Sequence, residues 1–241
     1  MPFFALIDYK MGNLSSVNKA LEKAGAAVRI VTTPAEAQDA CALILPGVGS
    51  FGDAMANLNA AGWSDFIRCW IAADRPFLGI CLGMQMLLEE SEESPGVPGL
   101  GIFPGSVRRF PDTPGMKVPH MGWNTVRGTG NSPFFSTSNE EYFYFVHSFY
   151  IDPADRSLAA AETDYILPFP CAIARGRLLA TQFGEYAAQL IRDGKYGMTV
   201  AKVDGKITAN KLDDIAGKTK FVAPDSQEVT TAKNIGISFG D

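Results

Sequence analysis

The chain has 241 residues, a mass of 25.9 kDa, and 26 acidic against 21 basic residues. A fold of that size buries roughly 70–75% of its unfolded surface and needs no disulfide or metal staple. Its 46% hydrophobic and 20% charged residues exclude disorder, collagen and coiled coil. A net charge of −5 argues against a broad nucleic-acid-binding face. No apolar run approaches the ~20 residues of a membrane span, and the start Met1–Asp8 lacks the basic region of a signal peptide. Cys41, Cys69, Cys81 and Cys171 have no CxxC spacing. They read as reduced thiols of a cytoplasmic protein, and neither metal nor cofactor is expected.

Phe3–Ile7 is an apolar run consistent with a buried strand. Asn13 is placed to cap a helix from Leu14 to Ala24 that stops at Gly25. Val28–Val31 reads as a second strand, Ala35–Ala40 as a short helix after Pro34, and Ala42–Leu45 as a third strand. Asp53 to Trp70 predicts a helix with a break at Gly62. Pro76–Ile80 predicts a fourth strand, with a helix over Leu82–Glu90 directly after it. Strands alternating with helices at this spacing mean an α/β fold, a parallel sheet with helices on both faces. Beyond residue 100 the pattern is strand-rich, with Tyr142–Ile151 and Ala172–Phe183 β-like and Gly176 near a turn, so antiparallel strands are expected to extend the sheet.

Composition changes near Phe183–Gly184. Residues 1–183 hold 4 Lys, 9 Arg and 18 acids, whereas 184–241 hold 7 Lys, 1 Arg and 8 acids. Every Cys, Trp and His precedes 184. This seam divides the chain into 1–183 and 184–241. In the second part, Glu185–Arg192 reads as helix, Met198–Val203 and Lys206–Leu212 as a hairpin turning at Asp204-Gly205, and Asp225 with Glu228 as the cap of a last helix.

The chemistry concentrates at Gly79-Ile80-Cys81-Leu82-Gly83. A reactive residue between small neighbours, after a strand and before a helix, has the pattern of a nucleophile elbow. The tight turn pushes the side chain out at the carboxyl edge of the sheet. Free N–H groups at the start of the helix favour the thiolate, and the N–H of Leu82 can donate to an oxyanion. The other three cysteines lack this setting and read as structural. Leu45-Pro46-Gly47-Val48-Gly49 is a glycine-rich loop after a strand. It reads either as a plain turn or as a second source of N–H groups for an anion.

Five stretches carry a resemblance. They are Asp8–Leu14, Leu45–Gly49, Gly79–Gln85, Pro119–Asn124 and Tyr144–Ser148, in that order. Over about 1–183 the chain resembles the glutaminase subunits of imidazole glycerol phosphate synthase, which are class I (triad) glutamine amidotransferases. The resemblance implies a flavodoxin-like three-layer αβα sandwich with a mixed sheet. It implies that Cys81 attacks the carboxamide carbon of glutamine. The oxyanion would be held by Leu82 and by the loop Gly47, Val48 and Gly49. Gln85 and Glu93 would bind the amino-acid end of the substrate, with His147 and Ser148 lining the pocket. Ammonia would pass to a cyclase subunit with a (β/α)₈ barrel fold in a heterodimer. Asn13, His120, Met121, Trp123 and Tyr144 would lie on or near the side facing that partner. Each role has a plainer alternative: Trp123 as core, Gln85 and Glu93 as solvated helix residues, the two histidines as packed, hydrogen-bonded groups.

The resemblance breaks at one point. The family places His-Pro-Glu directly after Thr-Gln-Phe, where the histidine shuttles the proton and the glutamate orients it. Here Thr181-Gln182-Phe183 is followed by Gly184-Glu185-Tyr186, and no histidine occurs beyond 147. Residues 184–241 instead resemble the C-terminal end of a 6-phosphofructokinase, without its nucleotide or sugar-phosphate motifs. They form a small foreign α+β tail, for which no kinase activity is expected. Three readings stay open: a glutaminase subunit, a docking subunit that holds the cyclase without hydrolysing glutamine, and another cysteine hydrolase on the same elbow.

Overall fold

The structure is a computed structural model. It describes residues 2–131, 135, 137–138 and 141–182, and the backbone of 198–203 and 206–211. The chain divides into two compact units, Met1–Tyr196 and Gly197–Asp241.

The first unit opens with β1 (Phe4–Ile7), α1 (Leu14–Lys23), β2 (Val28–Val31) and β3 (Ala42–Leu45), with a 3-10 turn at Pro34–Ala37. The sequence predicts α1 closely, since Asn13 caps it by accepting from the Ser16 N–H. Two helices follow, α2 (Phe51–Ala60) and α3 (Trp63–Ala72), parted at Gly62 as expected. Gly62 has φ +74°, a left-handed conformation that ends one helix and starts the next. Then come β4 (Phe77–Ile80), the single turn α4 (Leu82–Gln85) and β5 (Glu90–Ser91).

Among the described residues that follow are the strands β6 (Gly105–Arg109), β7 (His120–Gly128), β8 (Glu141–His147), β9 (Phe149–Pro153), β10 (Ala159–Tyr165), β11 (Leu167–Arg175) and β12 (Leu178–Thr181), with a 3-10 turn at Arg156–Leu158. Nine strands form one sheet in the order β2-β1-β3-β4-β12-β11-β10-β7-β8. The first five are parallel neighbours. From β12 onward each pair is antiparallel. The expected extension of a parallel sheet by antiparallel strands is therefore present. A second, small sheet, β5-β6-β9, is hydrogen-bonded separately and has β9 close to β11 of the large one.

The period-2 alternation of the strands separates the layers. Ala5, Ile7, Leu43 and Leu45 pack with Phe51, Met55, Leu58, Trp63, Ile67 and Trp70 of α2 and α3. Leu6 and Ile44, which point the other way, pack with Val17, Leu14 and Leu21 of α1. Helices thus cover both faces of the parallel half. The antiparallel half has its own aromatic core of Phe110, Phe143, Phe145, Tyr150 and Phe169 around Cys171.

One expectation is corrected. The helix after Cys81 spans Leu82–Gln85 and does not run to Glu90. The carbonyls of Met86, Leu87 and Leu88 accept from Leu100, Ile102 and Gly101, so a distant segment takes the bonds that a longer helix would use.

In the second unit β13 (Met198–Val203) and β14 (Lys206–Lys211) pair antiparallel, with Val203 opposite Lys206, which is the hairpin the sequence predicts. The helices expected over Glu185–Arg192 and after Asp225 lie outside the described residues.

Candidate active site

Cys81 sits between β4 and α4 with φ +54° and ψ −113°. A non-glycine residue in that region costs on the order of 1–3 kcal/mol and persists only when its surroundings hold it there. Here the Cys81 N–H donates to the Thr181 carbonyl at 2.7 Å, and the Cys81 carbonyl accepts from Met84 and Gln85. Strand β12, on one side of β4, therefore anchors the bend, while β3 packs on the other. A Cβ on Gly83 would lie 2.0 Å from the Leu45 carbonyl oxygen, so only glycine lets the turn close against the end of β3. Cys81 is half-buried.

The loop after β3 reaches the same turn. A Cβ on Gly47 would meet the Gly83 nitrogen and the Leu82 Cβ, each at 2.7 Å. Gly47 thus lies directly against the first residues of α4, whose leading N–H groups have no intrahelical acceptor. Val48 is exposed and Gly49 has φ +93°. Tyr9 fixes the start of the loop, its buried hydroxyl donating to the Pro46 carbonyl at 2.8 Å. Burial, reinforced by negative charge at Cys81, pushes the phenol far above its usual pKa, so it remains a neutral donor.

Gln182 is the third neighbour. Its side chain is buried, with Nε2 3.8 Å from the Cys81 sulfur. Its Oε1 has no hydrogen-bond partner among the described residues. The sequence pattern assigns no role to Tyr9 or to Gln182, although Tyr9 lies in the stretch Asp8–Leu14 and Gln182 in Thr181-Gln182-Phe183.

Gln85 is 5% exposed and donates from Nε2 to the Phe149 carbonyl at 3.2 Å. Glu93 accepts from the Phe51 N–H at 2.7 Å, and Ser94 accepts from Gly52. Glu93 therefore caps α2 with one oxygen and sits beside the end of the glycine-rich loop. Neither residue lies on a solvated helix, the plainer alternative for both. Ser148 is half-buried, and its carbonyl accepts from Phe110.

The two histidines form a pair. His147 Nδ1 lies 2.8 Å from the Phe149 carbonyl, His147 Nε2 lies 3.0 Å from His120 Nδ1, and His120 Nε2 lies 3.3 Å from Asn124 Nδ2. His120 is stacked on Tyr165 at 4.0 Å between ring centres and on Phe145 at 4.7 Å. Burial lowers both imidazoles to about 4, so both are neutral at pH 7. His120, expected on or near the partner-facing side, is 3% exposed and lies within the aromatic core. Its neighbours in the chain do face outward. Met121 and Val146, cross-strand partners, are 62% and 51% exposed. Trp123 and Tyr144, also partners, form an edge-to-face pair at 5.9 Å and are half-buried. Asn13 is exposed at the start of α1.

The remaining thiols divide. Cys171 is buried on β11 and burial pushes its thiol well up. Cys41 and Cys69 are exposed, so core packing, the structural role expected of them, does not describe them. Among the described residues no cluster of His, Cys, Asp or Glu could hold a metal, and no helix is long and apolar enough to cross a membrane.

The sequence and the fold are matched by known proteins. The family model for glutamine amidotransferase class-I matches residues 5–183. The imidazole glycerol phosphate synthase subunit HisH of Acinetobacter baylyi is 46% identical over 185 residues, covering 76% of this chain and 90% of its own. That of Methanothermobacter thermautotrophicus is 45% identical over 194 residues, covering 78% and 96%. A crystal structure of a glutamine amidotransferase shares the fold with a TM-score of 0.62 at 18% identity, over 80% of this chain and 95% of its own. The chain therefore belongs to the class-I glutamine amidotransferases, among the HisH subunits of imidazole glycerol phosphate synthase.

Proposed function

We infer that this chain is the glutaminase subunit of an imidazole glycerol phosphate synthase in histidine biosynthesis. It supplies ammonia from glutamine to a cyclase subunit. The observation that carries the reading is the strained, half-buried Cys81 with Gly47 packed against Leu82 and Gly83. Cys81 attacks the carboxamide carbon. The carbonyl oxygen becomes an oxyanion beside the N–H groups of Leu82 and of the loop Gly47–Gly49, ammonia leaves, and water cleaves the glutamyl thioester to glutamate. Gln85 and Glu93 hold the amino-acid end, with His147 and Ser148 behind them. The partner is a (β/α)₈ cyclase, and the apolar face of Met121, Val146, Trp123 and Tyr144 is the surface that fits it. The pair works in the cytoplasm.

In the complex with its cyclase, Cys81→Ala should abolish ammonia release from glutamine. Unchanged release would refute the assignment of Cys81.

A second reading, a docking subunit with little or no hydrolysis, is supported by a specific observation. The family histidine after Phe183 is missing, and all four ring nitrogens of His120 and His147 are engaged elsewhere in a buried, neutral network. Neither histidine can act as the base for Cys81. Labelling by a glutamine-directed alkylating analogue separates the readings: rapid, partner-dependent modification of Cys81 favours the glutaminase, and its absence beside intact cyclase binding favours the docking subunit. Residues 184–241 are a foreign segment joined at 183, similar to the end of a 6-phosphofructokinase. The change from Arg to Lys usage and the end of the family match at 183 support this. Nucleic-acid reads across codons 178–190 test whether the junction exists in an organism.

A further inference from the structure

The two histidines lie opposite one another on β7 and β8. Burying two imidazoles in an aromatic core is unfavourable unless every ring nitrogen finds a partner. The partners here also fix where each proton sits. Asn124 accepts the Thr125 N–H through Oδ1 at 2.8 Å and donates from Nδ2 to the Asp164 carbonyl at 2.8 Å, which sets its amide the right way round. Asn124 Nδ2 therefore donates to His120 Nε2. The His120 proton is on Nδ1 and is donated to His147 Nε2. The His147 proton is on Nδ1 and is donated to the Phe149 carbonyl. That carbonyl is also the acceptor for Gln85 Nε2. The backbone N–H of Gln85 in turn donates to the Cys81 carbonyl, so both ends of this residue are fixed. The bond to Phe149 orients the Gln85 amide.

We propose that His120 is a positioning residue for glutamine: through His147 and the Phe149 carbonyl it sets the Gln85 amide that reads the amino-acid end of the substrate. This rests on the reading of Gln85 as a substrate-binding residue. The chain of bonds has one direction, from the Asn124 amide to the Phe149 oxygen, and each imidazole passes on one donor and accepts one. Tyr165 and Phe145 hold the first ring flat between them, and Tyr165 is itself tied to the Lys117 carbonyl at 2.6 Å.

The test is protection of the Cys81 thiol from iodoacetamide by glutamine, measured on the full chain and requiring no turnover. His120→Phe keeps a flat ring in the stack and deletes both hydrogen bonds. It should raise the half-protecting glutamine concentration about tenfold, the size of one lost charge-free hydrogen bond or a little more. The rate of alkylation without glutamine should stay within about twofold, because the elbow itself is untouched. His120→Asn, which keeps a donor where Nδ1 stood, should protect within about threefold of the parent. If His120→Phe does not fold, His120→Gln decides. It keeps a polar group toward Asn124 where Nε2 stood, removes the donor toward His147, and should show the same loss of protection. Unchanged protection in a folded variant overturns the proposal. So does an equal change in the alkylation rate without glutamine, which would mark a merely structural role. A parent that glutamine does not protect at all refutes the glutamine-site reading itself and takes this proposal with it.

Discussion

The bend at Cys81 and the pair His120–His147 handle ionisable groups in opposite ways. At the bend, backbone does the work: a positive φ, a carbonyl of β12 and two glycines without side chains hold one half-buried cysteine. At the pair, side chains do the work: rings and four engaged nitrogens hold two imidazoles inside and uncharged. The first arrangement makes a group available for reaction. The second removes two groups from acid–base chemistry, and they are the only imidazoles in the chain.

The strongest way to sharpen this contrast is to supply the bend with the base that the pair cannot lend. Inserting His-Pro-Glu after Phe183, with a native-like terminal helix, should raise glutaminase activity of the complex by about 10²–10⁴-fold, the range of a general base. No gain in a correctly folded variant would show that the deficit lies elsewhere.

The next test breaks the bend. Gly83→Ala places a methyl group 2.0 Å from the Leu45 carbonyl, which is backbone and cannot swing away. Urea unfolding should show a loss of about 3 kcal/mol or more, or no folded protein at all. A loss under about 1 kcal/mol would mean that the turn and β3 can separate without harm.

Titration addresses the pair. Both imidazoles have pKa values lowered from 6.5 to about 4, so the unfolded chain binds protons more readily. The stability they contribute is fully present above pH 6.5 and is lost as pH falls toward 4. Between pH 7 and pH 5 that loss is about 2 kcal/mol for one imidazole. His120→Phe should therefore lose less stability than the parent over that interval, by about this amount in urea unfolding. Parallel curves would show that His120 is not held neutral.

The mildest probe is at the loop. Tyr9→Phe removes one buried hydrogen bond to the Pro46 carbonyl and should cost about 1–2 kcal/mol of stability. A neutral result would show that packing on Gly47 alone fixes the loop.

The difference between the two regions also explains what could be read in advance. The parallel half was legible because each strand and helix there is a local pattern: apolar runs of four, a capping Asn13, a breaking Gly62, a cysteine between glycines. The elbow and its loop were legible for the same reason. The extent of α4 was not, because residues 100–102 claim the carbonyls of Met86, Leu87 and Leu88. Strands β7 and β10 escaped individual assignment, since Asn124 and Thr125 or Ala159–Ala161 carry no clear two-residue alternation. The histidine pair was out of reach for another reason. Its members are 27 positions apart, and only the register of β7 on β8 brings them together. The alternative of packed, hydrogen-bonded histidines was available from the residue type, but not their joint wiring to Gln85. Tyr9 and Gln182 were visible as motif members, yet their work depends on a carbonyl of Pro46 and a sulfur 101 positions away.

Strand β12 gives this molecule an unusual divisibility. Its Thr181 supplies main-chain support for the reactive bend, and the change in residue usage begins just three positions further on. On the docking reading, a chain that keeps this bend is a natural starting point for a capture reagent, one that retains thiol-reactive mimics of its substrate without consuming the substrate itself.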